Sequence, residues 1–400
     1  MTYKELLNLY KKGELSQEQK KEIKADIEKQ EAISEFLFEN DEIPELENSC
    51  LEAEISDDNS GFDEKRFQKM IKKSIRRAFL KLGIGVGIIV LALVIVANTA
   101  LPNIVDSFYY DPAQIVGRTE SGAASLQLDI DTMVYSELFT PGYYRFSTYA
   151  NRNGFGKYDI QILKNFSFTG QFNNVHGTID KNWLNLFDDT ILNMPAHNAF
   201  WYEGVEGLTG QGGTAAAGTP EDALRKLTEL DEHDYYVAYV TFDKVMTYDE
   251  MVNWSKKSNI TPEWCAVCEH LGNDYYLTGG ITGFNFHGNA SEHAYDNEKY
   301  PYLNFFDVID SVEGDYSLNK PSAEVMETHM TSMLRYMLEN KDFFEMVGYH
   351  SSDGQFVTLM ESIEEHGIYT YGFVVTATKD EILRISKNEN VSYIYTTPLV

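Results

Sequence analysis

Apolar and polar positions fall into four patterns along the chain, and each predicts a different element. Tyr3, Leu6, Leu7 and Tyr10 follow the i, i+3, i+4, i+7 spacing of one helix face, which Gly13 interrupts. Ser16 and Gln19 then have the spacing of a capping box opening a second helix; Ile23 and Ile27 share one side of it, and Ile33, Phe36 and Leu37 extend its apolar surface. Two short amphipathic helices cannot bury both faces against each other, so this surface predicts a partner. The second pattern is residues 82–101, a run of 20 without a charge whose only polar side chains are Asn98 and Thr99. At about 1.5 Å per residue it reaches about 30 Å, one bilayer hydrocarbon core.

The third pattern, over residues 102–203, is alternation in segments such as LQLDID and KYDIQIL between Gly and Asn turns, which predicts a strand-rich domain. Residues 204–220 are rich in Gly and Ala and read as a mobile linker. Beyond it comes an internal repeat. A helix over 219–230, strand YYVAYVTF, helix TYDEMVNWSKK and strand ITPEWCAV are matched by a helix over 354–364, IYTYGFVVTA, TKDEILRISKN and VSYIYT. Both second helices open with a Thr-x-x-Glu box, Thr247 with Glu250 and Thr378 with Glu381. The fold class is therefore α+β: a helical segment, one transmembrane helix, a strand-rich domain, and a C-terminal α/β sandwich of two α-β-α-β repeats with helices on one face. Between the repeats, Met326, Met330, Met333 and Met337 lie at helical spacing and predict core packing.

Charge orients this scheme. Residues 65–81 hold eight Lys or Arg and no acid before Arg118 supplies the next basic group, so the N-terminus is expected in the cytoplasm and residues from about 102 outside. A secretory signal would lie within about the first 15–30 residues with a shorter apolar region, so the span is expected to remain uncleaved. The formal charge of −29 makes nucleic acid a poor partner. It is uneven: residues 1–81 carry 15 basic and 19 acidic groups and the remainder 18 and 43. Residues 35–64 hold 12 acids and no Lys or Arg, the composition of a tether, next to a basic run suited to anionic lipid.

Candidate chemistry is sparse. The cysteines are Cys50, expected inside the cell, and Cys265 and Cys268, expected outside, so no disulfide framework forms. WCAVC imitates a redox motif, yet falls on a predicted strand where residues three apart face opposite ways; redox work, a surface disulfide between Cys265 and Cys268, and two inert thiols remain as readings. His287, His293 and Asp296 match no ligand spacing, and no metal or cofactor is expected. Gly83, Gly85 and Gly87 lie inside the span and are no phosphate loop, while Gly83 and Gly87 form a small-xxx-small pair that would let another helix approach. No Ser/His/Asp order, nucleophile elbow, P-loop or paired-carboxylate signature stands out, so an enzyme is not expected.

Residues 5–37, ELLNLYKKGELSQEQKKEIKADIEKQEAISEFL, resemble the N-terminal helical segment of membrane anti-sigma factors, which usually runs into a His-x3-Cys-x2-Cys zinc motif. Asp26, Gln30 and Ile33 occupy those ligand positions here, so the resemblance implies a zinc-less version. KKSIRRAFLKLGIGVG, VDSFYYDPAQIVG and YSELFTPGYYRFSTYANRNGFGKYDIQI resemble the N-terminal module of the sigma-factor-regulator family of Gram-positive bacteria, and YVAYVTFDKVMTYDEM resembles the opening of its C-terminal module. The resemblance implies regulation of an extracytoplasmic-function sigma factor and brings no catalytic motif.

Together these readings divide the chain into a sigma-binding helical segment (1–40), acidic tether (41–64), basic juxtamembrane segment (65–81), span (82–101), membrane-proximal extracellular domain (102–203), linker (204–220) and C-terminal domain (221–400). Tyr3, Leu6, Leu7, Tyr10, Ile23, Ile27, Phe36 and Leu37 are the expected sigma-factor contacts, with the bilayer and a second small membrane protein as further partners. The competing expectation is a cell-surface ligand-binding or envelope protein for which the N-terminal segment is only an anchor.

Overall fold

A computed structural model describes residues 16–21, 23–25, 28–29, 64–166, 172–188, 192, 198–209, 215–277, 280–287, 290–316, 319–348 and 353–399. Contacts divide the chain into two compact units, Met1–Gly83 and Ile84–Val400.

In the first unit, Ser16 caps a helix through residues 17–21, 23–25 and 28–29 as its spacing predicts. The Gln19 N–H donates to Ser16 Oγ at 3.3 Å, and the Ser16 N–H to Gln19 Oε1 at 3.4 Å. Ile23 is buried. Tyr3, Leu6, Leu7, Tyr10, Ile27, Phe36 and Leu37 lie outside the described residues.

Helix α1, Glu64–Asp106, contains the apolar run and continues through Pro102. It is the helix among the described residues that is long and apolar enough to cross a membrane, and none of its most apolar window is buried in the protein. Asn98, Thr99 and Asn103 turn their side chains back onto carbonyls one turn earlier, which satisfies them without an outside partner.

In the second unit, strands β1 (Ile115–Arg118) and β2 (Ala124–Leu126) form a small hairpin that leads into helix α2 (Gln127–Phe139). Here LQLDID departs from the predicted strand. Leu126, Leu128 and Ile130 alternate, but the chain continues with Val134, Tyr135, Leu138 and Phe139, and packing surrounds the resulting helix on nearly every side. A helix buried all round shows no polar face, so a short alternation is all its sequence offers. Strands β3 (Tyr143–Gly154), β4 (Lys157–Phe166), β5 (Phe172–Asp180) and β6 (Trp183–Leu186) follow as an antiparallel meander. Its inner residues Tyr158, Ile160 and Ile179 are buried and alternate with exposed Lys157 and Asp159.

Next come β7 (Leu208–Thr209), α3 (Pro220–Thr228), β8 (Tyr235–Thr247), α4 (Tyr248–Ser258), β9 (Trp264–Leu271), β10 (Asp274–Tyr276) and β11 (Gly283–Asn285). Helices α5 (Phe305–Asp310), α6 (Ala323–Glu339), α7 (Lys341–Met346) and α8 (Asp353–His366) precede β12 (Tyr369–Thr378), α9 (Lys379–Ile385) and β13 (Val391–Pro398). The large sheet runs β13-β8-β12-β9-β10-β7, with β11 paired to β9. The first strand of each β-α-β pair, β8 or β12, lies inside, and its second strand flanks the other pair's first. Helix α3 packs on β13 and α8 on β9, so each segment's leading helix covers the other's outer strand. Thr247 and Thr378 cap α4 and α9 with complete boxes.

Alternation along β8 sends Ala238, Val240 and Phe242 toward the helices and Val237 and Tyr239 the other way. The second face is not open, because Ala199, Phe200, Tyr202 and Val205 cover it. On either side of residues 210–214, β7 pairs with β10, and the Ala217 N–H donates to Tyr393 Oη at 2.6 Å. Where the sequence separates residues 102–203 from 221–400, one apolar cluster runs from Leu128, Val134, Tyr135 and Ile160 to Met330, Met333, Phe343 and Ile363. All four stripe methionines, Met326, Met330, Met333 and Met337, are buried in it.

Candidate functional site

The charged side chains of α2 explain how a polar helix can lie in the core. Asp129 Oδ1 accepts from the Thr148 N–H (3.1 Å) and from Thr148 Oγ1 (2.8 Å). Glu137 Oε1 accepts from the Asn285 N–H at 3.1 Å and stands 2.8 Å from His329 Nε2 on α6. His329 Nδ1 lies 2.6 Å from the Tyr302 carbonyl, which can only accept, so that nitrogen carries a proton. Burial by itself would lower the His329 pKa, but the Glu137 carboxylate outweighs it and raises the net value. The pair is a buried salt bridge whenever the imidazole holds both ring protons, a state that the neighbouring carboxylate favours.

Asp131 is the third acid. Its carboxylate accepts from Tyr110 Oη at 2.6 Å, Tyr336 Oη at 2.7 Å and Gln127 Nε2 at 3.0 Å. Burial pushes its pKa up to about 7, even though all three donors favour the anion. Tyr110 and Gln127 also line a cleft of about 830 Å³ with Asp106, Asp111, Arg152 and Lys341. Arg152 pairs with Asp111. The site thus ties the chain just beyond α1 to α2 and α6 through one buried carboxyl, and a sequence reader has no signal for it because Asp131 and Tyr336 are 205 residues apart.

The other sequence candidates resolve differently. Cys265 and Cys268 are both free and buried, and they sit on opposite faces of β9, Cys265 in the main cluster and Cys268 in the second. The surface disulfide is thereby corrected: side chains three apart on a strand point away from each other. Burial raises both thiol pKa values, so neither is an activated thiolate. Among the described residues, no group of three or more His, Cys, Asp or Glu is placed to hold a metal ion. Asp296 Oδ1 accepts from the Lys299 N–H at 3.0 Å, and burial followed by nearby Lys320 lowers the His287 pKa. Gly83 and Gly87 lie on α1 with nothing within 4 Å of where a Cβ would stand.

These features amount to an α/β body with a buried polar network close to the end of a helix long and apolar enough to cross a bilayer. Residues 227–395 match the family model described as sigma factor regulator C-terminal. No curated protein and no solved structure matches the chain.

Proposed function

We propose that this chain is a single-pass membrane anti-sigma factor. The observation that carries the reading is the sigma factor regulator match over residues 227–395 on a chain that also bears a bare apolar helix. The cytoplasmic helical segment, of the zinc-less kind, grips an extracytoplasmic-function sigma factor with Tyr3, Leu6, Leu7, Tyr10, Ile23, Ile27, Phe36 and Leu37. Sequestration at the inner membrane surface is by occlusion. The eight basic residues of 65–81 keep the segment near anionic headgroups on the cytoplasmic side.

The extracellular body modulates that grip. The Asp131 relay supports this, since it joins Tyr110, four residues past α1, to α2 and α6. Gly83 and Gly87 present an open small-xxx-small face for a second small membrane protein. The test is co-purification: full-length chain solubilised from membranes should bring down a sigma factor. Recovery of the chain with no sigma factor would refute the reading.

A further inference from the structure

Two hairpin turns of the four-stranded meander, β3–β4 and β5–β6, meet the far end of α1. Gly154 packs so closely on Pro102 that an added Cβ would lie 3.0 Å from the proline Cβ. The Gly156 N–H donates to Asp106 Oδ1 at 2.6 Å, and the Lys181 N–H to the Gly156 carbonyl at 2.5 Å. Asn182 Oδ1 accepts from the Tyr110 N–H at 3.1 Å. The turns are thus fixed to α1 at the point where the apolar run ends.

Three large aromatic side chains at this junction are exposed: Phe108 at 76%, Trp183 at 74% and Phe155, the most covered, at 44%. Phe155 and Lys181, at the two turn tips, also hold positive φ values of 59° and 61°. Bulky residues rarely accept that conformation, and glycine would do so freely, so a Phe kept there calls for a use of its ring.

Position supplies that use. Pro102 is one residue beyond the run 82–101 and Asp106 five, which by helix rise is about 1.5 and 7.5 Å past the hydrocarbon edge. The headgroup zone extends about 5–8 Å on each side, and it is where aromatic rings are enriched. We propose that the turns at 153–156 and 181–183, with Phe108, form a docking surface for the lipid bilayer, seating the body on the leaflet from which α1 emerges. Phe155 and Trp183 sit among headgroups and upper acyl carbons, and Lys181, exposed beside the Tyr109 ring, faces lipid phosphate. The inference rests on α1 spanning a membrane.

The full chain reconstituted in phosphatidylcholine and phosphatidylglycerol vesicles, with acyl chains brominated near the headgroup, tests it. The chain's tryptophans are Trp183, Trp201, Trp254 and Trp264, none of them in α1, and Trp254 and Trp264 are buried. Brominated lipid should quench tryptophan emission, and Trp183→Phe should remove more than half of that quenching. Absence of quenching in a chain that resists alkaline extraction, or full quenching retained in Trp183→Phe, overturns the docking surface while leaving the span intact. A chain released by alkaline extraction overturns the span, and the docking surface with it.

Discussion

Helices α1 and α2 invert the usual relation between hydropathy and burial. The first contains a window of mean hydropathy 2.8 and buries none of it in the protein, whereas the second carries Asp129, Asp131 and Glu137 and buries all three. Burial follows from partners. Each acid of α2 has donors aimed at it from another element, whereas the apolar window of α1 packs against no other element, as expected of a helix suited to a bilayer.

Breaking the best-partnered acid should have the largest effect. Glu137→Ala removes the partner of both the buried His329 ring and the Asn285 N–H, and should cost about 3–5 kcal/mol, read as a large fall in the midpoint of chemical unfolding. Paired leucine deletions sharpen the contrast. Leu138→Ala removes a fully buried side chain and should cost about 2–5 kcal/mol. Leu91→Ala, on the 60% exposed side of α1, should leave unfolding of the body unchanged. Equal losses from the two would contradict the assignment of α1 to lipid.

The smallest change in level, but a distinct one in slope, belongs to Asp131→Asn. The folded carboxyl keeps its proton up to about pH 7, whereas the unfolded one releases it near its ordinary value of 3.8. Across that window the folded state binds more protons, so stability falls as pH rises and levels off above about 7. His329, also raised, adds stability present below its unfolded pKa and lost at higher pH. Thermal unfolding followed between pH 4 and 8 should lose the lower part of this slope in Asp131→Asn and keep the upper part; an unchanged slope would contradict the buried carboxyl.

What the sequence made legible is what local chemistry determines. The Ser16, Thr247 and Thr378 boxes, the strands flanking α4 and α9, the methionine stripe and the apolar run all rest on residues within a few positions of one another. The opposed cysteines follow from strand period alone. Helix α2 was hidden because its burial on all sides erases periodicity, and with it went the contact of residues 127–139 with both the meander and α6. The Asp131 relay was hidden for another reason: it joins residues 110, 127, 131 and 336, which only the fold brings together.

The central claim is that the helical segment before the span holds a sigma factor, and one measurement addresses it directly. Full-length chain and its Leu7→Asp/Tyr10→Asp variant are solubilised from membranes at equal level and the bound sigma factor is quantified. The account predicts a sigma factor on the unmodified chain and a loss of at least tenfold in the variant, about 1.4 kcal/mol or more of binding free energy. Equal recovery with both chains would contradict it.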